Sequence, residues 1–158
     1  MMKDGLIEQL KSSRQFFNRG TDCLLEEHSG FAPKEGMYTV AHQVAHVAHT
    51  VEWFMEGAFD PNGFDLDFEK LIAKEAGFAS LKDARDWFEK AMKNALDVLS
   101  QKSDEELLAP LPEGPVMGGA PRLAIVSAMV EHTAHHRGSL AVYARLLDLA
   151  PKMPYGDL

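Results

Sequence analysis

Four long stretches of the chain place apolar residues at the three- and four-residue spacing of an α-helix, and this pattern constrains the fold more than any other feature. The stretches span residues 4–27, 38–57, 80–100 and 121–147. Shorter helical turns are predicted at 65–76 and 103–108. No segment alternates between polar and apolar residues as a half-buried strand would. The pattern predicts an all-α fold, a four-helix bundle with a short extra helix and long loops.

Capping and turn residues indicate where these helices begin and end. Thr39 and Ser80 stand where N-caps are expected, and Ser103 precedes the acidic first turn of a short helix. Four prolines and three glycines between residues 110 and 121 predict a loop. The segment between the second and third long helices is long enough to cross the bundle, and the sequence leaves the order of the helices around the bundle open.

Composition narrows the range of partners. The formal net charge is −8 and no basic patch is present, so neither nucleic acid nor an anionic membrane surface is expected as a partner. The N-terminus has no apolar signal core, and the longest apolar run, 123–130, is too short to span a bilayer. Cys23 is the single cysteine, which excludes an internal disulfide and a thiolate-rich metal site. We expect one domain over residues 1–158, located in the cytoplasm.

Six of the seven histidines fall on two of the predicted helices. The second helix contributes three that lie within about 60° of one another around its axis, namely His42, His46 and His49. On the fourth helix His132 and His136 share a face, whereas His135 is rotated away from them. Neutral imidazole is a common ligand of divalent transition metals. The spacing predicts a metal site formed by this pair and one histidine of the second helix, and it leaves open which of the three that is. The alternative is that these histidines are solvated or packed in the core.

Residues 131–138, EHTAHHRG, resemble the H-x-x-x-H-R-G motif of the DinB/YfiT-like family, which are bacterial metal-binding four-helix bundles. The pair Thr39-Val40, followed by His46 and Trp53, is similar to the family's second-helix pattern. The segment 103–107 resembles the one that precedes the family's loop into the last helix.

The resemblance implies a divalent metal ion, zinc or nickel in many relatives, and frequent homodimers. Carried over position by position, it assigns the metal to His46, His132 and His136. The additional His42 and His49 depart from the family pattern, as does Ser139, which stands where relatives usually have Gln.

Three imidazole ligands leave a coordination position free, which is typical of a catalytic metal site. The resemblance implies a thiol-dependent S-transferase or isomerase acting on small electrophiles, with a low-molecular-weight thiol as co-substrate. For such a reaction, His42 and His49 are our own candidates for the proton carrier. A metal-dependent hydrolase of a small molecule is one alternative. Helical spacing places no general-base carboxylate beside the ligands, since Glu52 points elsewhere, and this ranks the hydrolase lower. A non-catalytic metalloprotein is the other alternative.

Several other residues of these two helices have an open role, or a conformational cost that needs an explanation. Arg137 either holds a substrate carboxylate or makes a structural contact, and Tyr143 is either a proton donor or a core residue. Gly138 costs a helix about 1 kcal/mol relative to alanine, so we expect a neighbouring helix to approach it closely. A second apolar face on the second helix predicts a homodimer interface. This face consists of Val40, Val44, Val47 and Val51.

Overall fold

The computed structural model describes residues 2–156, so Met1, Asp157 and Leu158 of the predicted domain 1–158 lie outside the described residues. The helices are α1 (Met2–Thr21), α2 (Val40–Phe59), α3 (Phe68–Ala76), α4 (Leu81–Gln101), α5 (Asp104–Leu108) and α6 (Ala124–Leu146). A 3₁₀ turn, Glu26–His28, lies between α1 and α2. No strand forms within residues 2–156, and the predicted all-α fold is confirmed. Across the same residues, no helix is both long enough and apolar enough to cross a membrane.

The four long helices α1, α2, α4 and α6 form the bundle. The most extensive contacts join α2 to α4 and α1 to α6, and the other neighbouring pairs are α2–α6 and α1–α4. Helices α1 and α2 therefore occupy opposite corners, and so do α4 and α6. The connections that cross the bundle are those from α1 to α2 and from α4 to α6. Segment 60–80, which is long enough to cross the bundle, instead joins two neighbouring helices and places α3 against α2.

The core consists of the apolar faces that helical periodicity predicts. Phe17 of α1 and Phe88 of α4 are fully buried, and their ring centroids lie 4.6 Å apart. Leu10 and Leu24, from the predicted face of the first helix, are also buried. The buried face of α4 includes Leu81, Ala84, Phe88, Ala91, Ala95 and Leu99. Burial of a large aromatic side chain stabilises a fold by roughly 1.5–3 kcal/mol, so the Phe17–Phe88 pair is a main contact between α1 and α4.

The predicted N-caps form as expected. Thr39 accepts a hydrogen bond from the backbone N–H of His42 at 3.1 Å, and Ser80 accepts one from Asp83 at 3.1 Å. Ser103 begins α5 with a capping box. Such caps satisfy backbone donors that have no partner within the first helical turn. The cap at Thr39 fixes where α2 begins, one turn before the first of its histidines, His42.

The first helix ends earlier than its apolar pattern predicts, at Thr21 rather than at residue 27. The guanidinium of Arg85 in α4 donates to the backbone carbonyl oxygens of Thr21 at 2.7 Å and Leu24 at 3.3 Å. These bonds satisfy carbonyls that the helix leaves free at its end. Arg85 lies far from the end of α1 in the sequence, so the residues around that end could not predict where the helix stops.

The valine face of α2 packs inside its own chain. Val40, Val44 and Val47 are fully buried and Val51 is 1% exposed. Helix α2 contacts α4, α6 and α3, which together enclose it. The prediction that these valines form a homodimer interface is therefore wrong. A homodimer is still a prediction, and it would need another surface.

The expected close approach at Gly138 is also wrong. A Cβ atom added to Gly138 meets nothing within 4 Å. The close approach lies instead at Gly20 of α1, where an added Cβ would lie 3.2 Å from the side chain of Arg137. The small residue that lets α1 and α6 approach each other is therefore Gly20. No steric contact requires glycine at position 138.

We expect Gly138→Ala to raise the free energy of unfolding by about 0.5–1 kcal/mol, because alanine loses less conformational entropy in a helix and has room here. Urea denaturation of the wild type and the variant measures the change. Gly20→Ala is the matched control, and its gain should be smaller or negative because the new methyl presses on Arg137. A Gly138→Ala protein less stable than the wild type would contradict the open surroundings of this position.

Candidate metal centre

Three histidines from two helices converge between α2 and α6. The ring centroids of His46, His132 and His136 lie 4.6–4.9 Å from one another. One nitrogen from each ring lies within 4.8 Å of the other two, and no other group of three or more His, Cys, Asp or Glu side chains with this spacing occurs in the described part of the chain. The Nε2 atoms of His46 and His132 are 3.1 Å apart. Two nitrogens bound to a tetrahedral zinc ion lie roughly 3.3 Å apart, so the spacing suits a shared ion.

Hydrogen bonds fix the orientation of two of these rings. The Nδ1 atom of His46 lies 2.8 Å from Oε2 of Glu75, and the Nδ1 atom of His136 lies 3.0 Å from Oε1 of Gln43. Both partners are acceptors, so each imidazole donates from Nδ1 and leaves Nε2 unprotonated, with a lone pair that can bind a metal ion. Metal-binding histidines are held by the same kind of bond.

Burial gives the histidines of α6 the protonation state that metal binding needs. Burial, reinforced by the positive charge that neighbouring histidines would carry, lowers the pKa of His132 to about 4 and that of His136 to about 3. Both imidazoles are therefore neutral at pH 7. Since only a neutral imidazole has a free lone pair, the donor set fits a divalent transition-metal ion.

Glu75 connects two histidines of α2. It is the one buried residue of α3. Its Oε2 bonds to His46, and its Oε1 lies 2.7 Å from Nδ1 of His49. Burial alone would raise the pKa of Glu75, but hydrogen bonds and charge interactions with His46 and His49 outweigh it and leave the pKa lowered. A carboxylate that is charged and buried in an otherwise exposed helix is costly unless it has partners, and the two imidazoles supply them.

His42, His49 and His135 lie outside the three-nitrogen cluster. The ring of His42 stacks on Tyr38 at a centroid distance of 3.7 Å, and its buried Nε2 has no hydrogen-bond partner among residues 2–156. Burial lowers the pKa of His42, so this ring is neutral. His135 is exposed, as its rotation predicts. Of the three histidines on the second helix, the structure brings His46 to the α6 pair.

An apolar cleft of about 270 Å³ opens beside His46 and His132. Helices α2 and α3 form its walls. The other lining residues are His49, Thr50, Trp53, Phe54, Phe68, Leu71, Ile72 and Glu75. The indole N–H of Trp53 donates to the backbone oxygen of Asp65 at 2.7 Å, which holds the indole in the wall. The three-histidine cluster thus has a neighbouring space in which a small molecule fits.

Arg137 and Tyr143 have structural contacts. The guanidinium of Arg137 donates to the hydroxyl of Tyr155 at 3.1 Å and lies over the rings of Phe16 and Tyr155. The hydroxyl of Tyr143 donates to the backbone oxygen of Tyr38 at 3.0 Å, and the residue is 4% exposed. Neither residue lines the cleft. These contacts support the structural interpretation of both residues.

Sequence reasoning missed Glu75 and Gln43. The expectation that no carboxylate lies beside the ligands is wrong, because α3 brings Glu75 to His46. No local sequence pattern predicts this contact, because the two residues are 29 positions apart. For Gln43 the sequence does contain a signal, because it is a lone amide in the apolar part of α2, one turn from His46. In the structure Gln43 is buried, at 4% exposure. Glu52 pairs with Lys74 at 3.6 Å and does not line the cleft, as expected.

A family model, described as the DinB superfamily, matches residues 9–140, which is most of the chain. The chain belongs to the DinB superfamily. No curated protein sequence matches this DinB-superfamily chain.

Two solved structures show the same superfamily fold. YfiT from Bacillus subtilis, described as a probable metal-dependent hydrolase with an unusual four-helix bundle topology, matches with a TM-score of 0.71 and 15% identity, over 94% of this chain and 89% of YfiT. A mycothiol-dependent maleylpyruvate isomerase matches with a TM-score of 0.65 and 14% identity, over 87% of this chain and 60% of the isomerase. The isomerase therefore has a large part with no counterpart here. At these identities the likeness shows the DinB-like four-helix fold.

Proposed function

We propose that the chain is a metal-dependent enzyme that binds one divalent ion, zinc or nickel, through the Nε2 atoms of His46, His132 and His136. Its reaction is the transfer of a low-molecular-weight thiol to a small electrophile, or an isomerisation that uses such a thiol. The observation that carries the proposal is the convergence of three imidazoles, two of them oriented by Glu75 and Gln43, beside a cleft.

A divalent ion with a free coordination position lowers the pKa of a thiol or water that reaches it, so that a nucleophile exists near neutral pH. His46 and His136 direct Nε2 toward the site because their Nδ1 protons are held by Glu75 and Gln43. The cleft beside His46 and His132 gives the electrophile access. This access favours the enzyme over a non-catalytic metalloprotein, in which the site would be sealed from solvent.

His49 is placed to move the proton of the nucleophile. Its Nδ1 is held by Glu75 at 2.7 Å, and its ring lines the cleft. His42 is the weaker candidate, because it stacks on Tyr38 and does not line the cleft. A histidine oriented by a carboxylate is a common general base.

A metal-dependent hydrolase is the second candidate, and Glu75 favours it. The sequence offered no carboxylate beside the ligands, and the structure supplies one. The description of YfiT as a probable metal-dependent hydrolase supports this alternative, whereas the mycothiol-dependent isomerase supports the thiol reaction. The two candidates differ in the nucleophile, water or a thiol, and share the metal centre.

Protein loaded with Zn²⁺ or Ni²⁺ is expected to accelerate the reaction of mercaptoethanol with chlorodinitrobenzene, in which a C–S bond forms, chloride leaves and the thiol proton passes to a base. A parallel assay with nitrophenyl acetate and no thiol tests for hydrolysis. Chelation should abolish turnover, and adding the metal back should restore it. Turnover that survives complete removal of the metal would overturn the proposal, and metal-dependent ester hydrolysis without thiol transfer would favour the hydrolase.

The same assay tests the role of His49. His49→Gln should lower kcat at least tenfold while the metal content stays unchanged, since general-base catalysis contributes typically 10²–10⁴-fold. His135→Gln is the matched control, because this histidine is exposed and lies outside the cleft. Equal kcat values for the two variants would remove His49 from the reaction.

A further inference from the structure

We propose that the cleft beside the metal centre binds an uncharged, flat apolar molecule of one or two rings and discriminates against carboxylates and phosphates. That this molecule is the substrate rests on the proposed function. The binding preference itself depends only on the walls of the cleft.

The size of the cleft limits the ligand. Its volume is about 270 Å³, and pockets that accept drug-sized ligands measure roughly 300–1,000 Å³. A single or fused pair of rings suits this space, and a large cofactor does not. Because His46 and His132 are among the lining residues, a ring in the cleft would place a substituent near them.

The aromatic walls favour a flat ligand. The Trp53 ring centroid lies 5.1 Å from that of Phe54 and 6.2 Å from that of Phe68. The bond from the Trp53 indole to the Asp65 carbonyl fixes one of these rings before a ligand arrives. Aromatic rings attract one another in tilted and offset arrangements, so the walls offer faces and edges to a third ring.

Surface at the rim of the cleft is apolar and incompletely covered. Phe68 is 53% exposed and Ile72 is 47% exposed, although both line the cleft from α3. Contiguous exposed apolar surface of this kind marks binding sites in many soluble proteins. A ring seated between α2 and α3 would cover part of it, at a gain of roughly 25 cal/mol for each Å² of apolar surface buried.

The charges around the cleft oppose an anionic ligand. No lysine or arginine is among the lining residues. The two lysines of α3 are paired elsewhere, Lys70 with Asp65 at 3.3 Å and Lys74 with Glu52 at 3.6 Å. The acidic side chain among the lining residues is Glu75, and a carboxylate in the wall disfavours an anionic ligand. Thr50 adds an uncharged hydroxyl, and His46 and His49 already direct Nδ1 to the carboxylate of Glu75, so the described walls hold no permanent positive charge that would pair with a second carboxylate.

Metal-free protein and two matched probes test this preference. Naphthalenemethanol is uncharged and naphthoate carries a carboxylate on the same ring system. We expect calorimetry to show at least tenfold tighter binding of the alcohol, and NMR to show its largest shifts at the Trp53 indole N–H. Chelated protein is used because an ion would itself attract the carboxylate. Equal affinity, tighter binding of naphthoate, no binding of either probe, or shifts outside the cleft would overturn the proposal.

Two variants locate the effect. Ile72→Lys should weaken binding of naphthalenemethanol at least tenfold, and its half-exposed position tolerates lysine without loss of the fold. Leu108→Lys makes the same change at a 57% exposed residue of α5 outside the cleft and should leave affinity unchanged. Thermal denaturation of both variants confirms that they fold. An Ile72→Lys protein that is folded and binds the alcohol as tightly as the wild type would also overturn the proposal.

Metal uptake is measured separately, on portions of the same preparations to which zinc or nickel is added back after chelation. Probe binding by a protein that takes up no zinc or nickel when these ions are added back would support the cleft while removing the proposed enzyme. Metal binding without probe binding would support the metal centre and overturn the proposed binding preference of the cleft. The failure of one idea is thus distinguishable from the failure of the other.

Discussion

His136→Ala protein is expected to keep its helical fold and to lose at least a hundredfold in affinity for zinc or nickel. Residues that only orient a ligand typically contribute 10–100-fold to metal affinity, and His136 is proposed to supply one of three donor nitrogens. Elemental analysis of the purified variant and a competition titration with a chromogenic chelator measure the loss. Circular dichroism monitors the fold, because the substitution leaves the oxygen of Gln43 without its donor and costs about 1–3 kcal/mol if no water replaces it.

His135→Ala is the control, since the neighbouring histidine is exposed and removing it changes the same kind of side chain on the same helix. It should bind metal as the wild type does. Equal metal content in His136→Ala and wild type would dispose of the proposed centre. Equal losses in the two alanine variants would show that the effect is not specific to the cluster.

Glu75→Ala protein is expected to bind the ion 10–100-fold more weakly, although Glu75 is not a proposed ligand. Removing the carboxylate leaves the Nδ1 atoms of both His46 and His49 without their acceptor, so the His46 ring can rotate and its protons can redistribute. The visible absorption of cobalt-substituted protein should change as well, since it reports the geometry around the ion and does not depend on activity.

Glu69→Ala removes a carboxylate from the exposed surface of the same helix and is the matched control. Its metal affinity and cobalt spectrum should equal those of the wild type. Glu75→Asp shortens the side chain and keeps the charge, so it should bind metal with an affinity between those of Glu75→Ala and the wild type. A Glu75→Ala protein with unchanged affinity and spectrum would show that His46 needs no carboxylate to orient it.

Helical periodicity in the sequence was sufficient to predict the bundle and its buried faces. Phe17 and Phe88 are buried as their spacing indicates. The N-caps at Thr39, Ser80 and Ser103 are local interactions and could be recognised from a few residues. The end of α1 depends on Arg85, a partner far away in the chain, and for that reason the boundary was misplaced.

The same distinction applies to the site. Spacing on α6 paired His132 with His136, and the family resemblance selected His46 from its stripe; the structure brings these three rings together. What escaped prediction is the contact of Glu75 with His46, which depends on how α3 folds back onto α2. The prediction of a dimer interface on the valine face of α2 failed for a related reason. An apolar stripe indicates that a face is covered, but it does not identify what covers it.

Helix α3 is exposed along most of its length, and its one buried residue is Glu75. A short helix with so little surface in the core opens more readily than the bundle does. Each opening would take the carboxylate away from His46, so retention of an ion by the histidines and closure of α3 would be thermodynamically linked, each favouring the other. The lifetime of the bound ion would then depend on the connecting segment 60–80 as well as on the two long helices that carry the histidines.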